Sequence, residues 1–221
     1  MPAKKNIFIF GDSITYGEWD SAGGWANRLR DHYDSGELPL PTDFVITYNL
    51  GIPSDTSEGV LHRLTHETQS RLAADPNEKE IQFIIAIGTN DARRNLKDKK
   101  NVVDIQQFAS NIDNISKAAM QFSDDIVYVG LLPCIESDVI ATGKRHDWED
   151  FYDNQSLSRY SEVIKAHCVK HDHTFVDVFP VFEKCIDDAT HKSLFSDGLH
   201  PNDDGHSLIF KEVLTRLNEI L

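Results

Sequence analysis

Five short apolar runs, each ending in turn-forming residues and each separated from the next by a longer amphipathic stretch, constrain this chain more than any other feature. They are Asn6–Phe10, Phe44–Tyr48, Ile81–Ile87, Ile126–Leu132 and Thr174–Val178. A strand with one wet face alternates polar and apolar residues. Near-continuous runs rich in β-branched and aromatic side chains point instead to strands covered on both faces. The intervening stretches carry helical periodicity. Ile105, Phe108, Ile112, Ile115, Ala119 and Phe122 follow one another in steps of three and four, which puts all six on one stripe. Asp104 with Gln107 forms a capping pair at its start, and Pro201-Asn202-Asp203 opens a last helix lined by Ile209, Val213, Leu217 and Leu221. Further helices are read near 22–34, 55–73 and 154–171. Strand and helix in alternation imply right-handed crossovers and a parallel sheet sandwiched between helices, an α/β architecture. No repeat, low-complexity tract or linker interrupts the chain, so residues 1–221 read as one domain. The longest irregular stretch, about 133–154, is of a length associated with function or mobility.

Composition narrows the partners. Thirty-six acidic against 22 basic residues give a net charge of −14. Such a surface repels nucleic-acid phosphates and anionic lipid, so neither partner is expected. No apolar stretch is long enough to cross a bilayer, and Ile7–Phe10 is too short for a signal-peptide core, so a cytoplasmic location is expected. The three cysteines, Cys134, Cys168 and Cys185, are scattered and lack a C-x-x-C pair, which fits reduced thiols.

Ligands of parallel α/β sheets bind beyond the carboxyl ends of the strands. The residues following the apolar runs are therefore the ones to question: Gly11-Asp-Ser13, Asn49-Leu-Gly51, Gly88-Thr-Asn-Asp91 and Pro133-Cys134. Ser13 sits in a turn that can expose its hydroxyl, although a Gly-Asp-Ser triplet by itself is also an ordinary polar turn. A serine hydroxyl needs a base, usually a histidine held by a carboxylate. Of 10 histidines, His200 in Ser196-Asp197-Gly-Leu-His200-Pro201 stands out, with Asp197 three residues away in a turn that Pro201 stiffens. Acyl transfer also needs oxyanion donors. Asn90 offers a side-chain amide and Gly51 a backbone N–H unobstructed by a side chain. Each of these, alone, reads equally as a loop residue serving its own turn.

Taken together and in this order, the four blocks resemble the SGNH hydrolase family. Gly11-Asp-Ser13 looks like its nucleophile block, Asn49-Leu-Gly51 its glycine block, Gly88-Thr-Asn90-Asp91 its asparagine block and Asp197-Gly-Leu-His200 its terminal block. The resemblance spans residues 11 to 200. It implies a flavodoxin-like three-layer α/β/α sandwich around a mostly parallel five-stranded sheet, and a serine esterase working through an acyl-enzyme. By the same resemblance Ser13 is the nucleophile, His200 the base and then the acid, and Asp197 its orienting carboxylate. The Ser13 and Gly51 N–H groups and the Asn90 amide form the oxyanion hole. A small-molecule ester is the implied substrate, and neither metal nor organic cofactor is required. The chain departs from many relatives after Gly51, where Pro53-Ser54 stands in place of a small Ser-Gly pair.

Other candidates carry less. Trp148, Phe151 and Tyr152 in the 133–154 stretch, with Cys134, are expected to line a substrate pocket. His167, His171 and His173 straddle a helix end with no acidic ligand in register, which reads as a solvated helix terminus rather than a metal site. His206 and Trp25 read as structural, and Asp12 and Asp91 as residues that fix the loops of the site. Two other classes compete: a metal-dependent phosphoesterase, whose two-metal site needs converging His and Asp ligands, and a non-catalytic binding module on the same fold.

Overall fold

The structure, a computed structural model, describes residues 4–35, 44–72, 80–143, 150–187 and 194–219. In chain order the elements run β1 (Lys4–Gly11), α1 (Ser13–Tyr16), α2 (Gly24–Asp34), β2 (Phe44–Gly51), α3 (Ser57–Leu72) and β3 (Glu80–Ala86). They continue with α4 (Thr89–Ala92), β4 (Arg94–Asn95), α5 (Ile105–Ala119), β5 (Ile126–Val129) and α6 (Glu136–Gly143). The last five are β6 (Asp150–Phe151), α7 (Asn154–His171), β7 (Thr174–Val176), α8 (Phe179–Asp187) and α9 (Asp203–Glu219).

All five apolar runs become strands of one sheet, in the order β2-β1-β3-β5-β7, and every pairing is parallel. Strand β1 shows why its run is apolar throughout. Phe8 and Phe10 point into one core with Phe83, Ile85 and the inner faces of α3, α5 and α7. Ile7 and Ile9 point the other way, into a second core with Ile84 and residues of α2 and α9. This is the three-layer sandwich expected. Truncating a side chain such as Phe83 to alanine would cost about 3–5 kcal/mol, because both layers are closely packed.

The register brings Gly11 level with Gly51 and Ala86, so the carboxyl ends of three neighbouring strands finish side by side. Helix α5 begins as expected: the Asp104 carboxylate accepts from the Gln106 and Gln107 N–H groups. The Gln107 side chain turns instead to Asn111 Oδ1.

Three expectations change. Helix α9 opens at Asp203, not at Pro201, because Asn202 Oδ1 accepts from Asp204 N and Gly205 N and so caps the first turn. Pro201 lies in a bridge with Phe195, where its missing N–H costs nothing. The apolar runs at 126–132 and 174–178 exceed their strands, since the sheet ends at Val129 and Val176 and the remaining apolar residues pack in the loops beyond. The 133–154 stretch is structured over much of its length, holding α6 and β6. Strand β6 pairs antiparallel with β4 in a second, two-stranded sheet that no periodicity announced, because two residues are too few to show any. Among the described residues, no helix is long and apolar enough to cross a membrane.

Candidate active site

Ser13 is the first residue of α1, the single helical turn that follows β1. Asp12 caps it, its side chain accepting from Ile14 N at 3.0 Å. Gly17 ends it in the left-handed region at φ 96°, donating its N–H to the Ser13 carbonyl. Ser13 is thus clamped at both ends of one turn.

His200 arrives from a loop that folds back on itself. Ser196 N donates to the His200 carbonyl at 2.9 Å, and Ile135 N donates to the carbonyl of Gly198, whose φ is 90°. Within this loop Asp197 Oδ1 accepts from Leu199 N and His200 N, while Oδ2 meets His200 Nδ1 at 2.7 Å. The other ring nitrogen, Nε2, lies 2.9 Å from Ser13 Oγ, 187 positions away in the chain. Hydroxyl, imidazole and carboxylate therefore form one continuous hydrogen-bonded line. With Nδ1 donating to Asp197, Nε2 is the acceptor that faces the serine proton.

The electrostatics suit that tautomer. Burial works against charge on both partners. The hydrogen bond and charge of Asp197, helped by Glu18 and Asp12, outweigh it and hold the His200 pKa above the ordinary 6.5. Asp197 is held below its ordinary value because its bonds to His200 and to the backbone N–H groups outweigh its own burial. Glu18 Oε2 stands 3.8 Å from His200 Nε2 and is a residue sequence reasoning missed. Asp12 is a different case: almost wholly buried, its carboxyl is pushed up to about 7, with the Ile14 N–H and His200 pulling it back only in part.

In α4, the Asn90 side chain is held at both of its ends. Nδ2 donates to the Asp55 carbonyl at 3.0 Å, and Oδ1 accepts from the Tyr152 hydroxyl at 3.1 Å. Its neighbour Asp91 is buried and accepts from Ser57 N and Ser57 Oγ, which burial and these bonds together bring to a pKa of about 6. Asn111 Nδ2 then reaches Ser57 Oγ. Asp91 therefore ties α4 to the start of α3.

Gly51 ends β2, level with Gly11 on β1. Its N–H already donates to Asn49 Oδ1 at 3.0 Å. The missing side chain makes room, since a Cβ there would come 2.2 Å from the Tyr16 backbone nitrogen. Two residues on, the Pro53-Ser54 departure has a visible consequence. Ser54 adopts φ 65°, a left-handed conformation that glycine takes without strain. Arg63 braces the two turns, with Nε on Asp55 Oδ2 at 2.9 Å and Nη2 on the Gly11 carbonyl at 3.2 Å. Neither Arg63 nor Asp55 carried a signal in the sequence, because their partners lie in other segments.

The other predicted lining residues are placed as follows. Cys134 is buried and its thiol is pushed up to about 12 by that burial, so it is an inert packing group whose backbone is held by Asn154. Phe151 packs beneath the cations of Arg94 and Lys99. Tyr152 bonds to Asn90, and Trp148 lies outside the described residues. His206 is fully buried and joins Trp25 N to the Glu18 carbonyl. The histidine group at 167–173 does have an acidic neighbour, from α5: ligand atoms of Asp113, His167 and His171 come within 4.8 Å of one another. Asp113 already pairs with Lys117 at 2.6 Å. The group lies where α7 leads into the amino end of β7, an edge strand, whereas Ser13 follows the carboxyl end of the interior strand β1.

Comparison with known proteins fits this geometry. A family model for the GDSL-like lipase/acylhydrolase family matches residues 9–208. The chain is 23% identical over 224 residues to the GDSL esterase/lipase WDL1 of Oryza sativa subsp. japonica, covering 99% of this chain and 79% of that protein. Its fold resembles the lipase/acylhydrolase from Enterococcus faecalis at a TM-score of 0.69 and 20% identity, over 98% of this chain and 97% of that one. It also resembles Axe2, an acetylxylan esterase from Geobacillus stearothermophilus, at a TM-score of 0.72 and 16% identity, over 96% and 93%. The chain belongs to the GDSL-like lipase/acylhydrolase family and is an ester-hydrolysing enzyme.

Proposed function

We propose that the protein hydrolyses small or medium carboxylic esters through an acyl-enzyme on Ser13. The observation that carries this is the line from Ser13 Oγ to His200 Nε2 at 2.9 Å and from His200 Nδ1 to Asp197 Oδ2 at 2.7 Å. Ser13 Oγ attacks the ester carbonyl carbon while its proton passes to His200 Nε2. The carbonyl oxygen takes up the charge, and two donors meet it: the Ser13 N–H, left without an intrahelical acceptor at the start of α1, and the second hydrogen of Asn90 Nδ2, whose first is on Asp55. The carbon–oxygen bond to the alcohol then breaks, and His200 returns its proton to the departing oxygen. A water molecule repeats the sequence on the acyl-serine, freeing the acid and restoring Ser13. Asp197 stays ionised and steadies the imidazolium formed in each half.

Tyr16, Trp19 and Ile52 are exposed large apolar side chains in the segments that carry Ser13 and Gly51, and they offer a rim for the apolar part of an ester. Axe2 is described as an acetylxylan esterase, so acetylated sugars belong first among candidate substrates. The test is hydrolysis of p-nitrophenyl acetate and of acetylated xylo-oligosaccharides by the wild type and by Ser13→Ala. Activity is expected in the wild type and a loss of at least about 10⁴-fold in the variant. An unchanged rate in Ser13→Ala would remove the nucleophile and the proposal with it.

A further inference from the structure

An oxyanion donor works only if its hydrogen is aimed before the charge develops, and a primary amide can present either its NH₂ or its carbonyl oxygen to a given point. Two contacts decide which at Asn90. The Asp55 carbonyl can only accept, so it calls for Nδ2, while the Tyr152 hydroxyl donates to Oδ1 at the other end. Turned over, Asn90 would set its oxygen against the Asp55 carbonyl.

The phenol is itself held by the second sheet. Strand β6, just before Tyr152, pairs with β4, which follows the helix α4 that carries Asn90; Arg94 is opposite Phe151 and Asn95 opposite Asp150. Asp150 is joined to Arg93 at 3.4 Å and to Asn95 Nδ2 at 3.3 Å, and Asp153 to Arg94 Nη1 at 3.1 Å. These contacts form a brace that ties residues 93–95, just after α4, to residues 150–153 around Tyr152. Burial raises the Tyr152 pKa above the ordinary tyrosine value against the pull of Arg93, so the phenol keeps its proton to donate.

Resting on the esterase reading above, we infer that Tyr152 is a positioning residue that fixes the Asn90 amide with its N–H toward the oxyanion, and that the β4–β6 pair exists to hold Tyr152 there. The hydroxyl touches Asn90 and acts through it, not on the substrate.

The experiment is a double-mutant cycle on p-nitrophenyl acetate hydrolysis with Tyr152→Phe, Asn90→Ala and their combination. Tyr152→Phe is expected to lower kcat about tenfold with KM and the pH midpoint unchanged, a fraction of what outright loss of an oxyanion donor costs. Combined with Asn90→Ala it is expected to add nothing, because the group it orients is gone. Asp150→Ala, a change at a partly exposed position that loosens the brace without touching Tyr152, gives the same pattern at smaller size and serves if Tyr152→Phe does not fold. Losses that multiply with Asn90→Ala would overturn the positioning role, as would a Tyr152→Phe effect confined to KM. Should Asn90→Ala and Ser13→Ala both retain full activity, it is the esterase reading that fails.

Discussion

His200 takes its carboxylate from three residues upstream in the same loop, whereas Asn90 takes its orientation from Asp55 and Tyr152, 35 and 62 positions away. The base side of the site is mostly local, a loop whose own backbone N–H groups also tie down Asp197. The donor side is a tertiary assembly in which α4, the turn after β2 and the β4–β6 pair must all arrive together. A local arrangement is specified by a few neighbouring residues and leaves a mark in the sequence. A dispersed one is specified by packing and leaves almost none.

Asp197→Asn probes the local side most severely. It keeps the shape of the loop but lets the wrong tautomer face Ser13, and kcat is expected to fall about 10⁴-fold. A loss below about tenfold, measured with p-nitrophenyl acetate, would show that the carboxylate does not set the imidazole. Asn90→Ala probes the dispersed side. It should cost about 10²–10³ in kcat with little change in KM, and an unchanged kcat would leave Ser13 N–H as the sole donor of the pair.

The mildest test concerns Glu18, which reaches His200 from a third segment. His200 must be neutral to act as base, and its pKa is raised by Asp197 and Glu18 against burial. Activity should therefore rise with pH through a midpoint above 6.5, higher than an unperturbed imidazole would give. Glu18→Gln removes one negative neighbour and should move that midpoint down, but only slightly, since the group is partly exposed and solvent screens it. A midpoint that stays put in a full kcat/KM profile would show that Asp197 alone sets the raised value.

Much of the fold was legible. The five apolar runs became the five strands, most plainly in β1, where burial on both faces leaves little choice of residue type, and the stripe from Ile105 to Ala119 became α5 for the corresponding reason on a helix, with Phe122 in the turn beyond. Boundaries slipped where apolar residues continue past the sheet into packed loops, as at Gly130–Leu132. The pair β4–β6 was invisible, as was the carboxylate Asp113 beside His167 and His171, because both depend on which segments lie side by side. Gly51 was legible as a position that excludes a side chain, but not for what that exclusion serves: the backbone of α1 needs the space, and Asn49 takes the N–H.

The sequence by itself determined the layered architecture and the pairing of Asp197 with His200, since hydrophobic period and a three-residue spacing are properties of consecutive residues. Only the tertiary structure decided that Ser13 meets His200 from 187 positions away, which groups hold the Asn90 amide and where Glu18 stands. Those are contacts between residues far apart in the chain, and a hydrogen bond of 3 Å depends on the packing of every element between them.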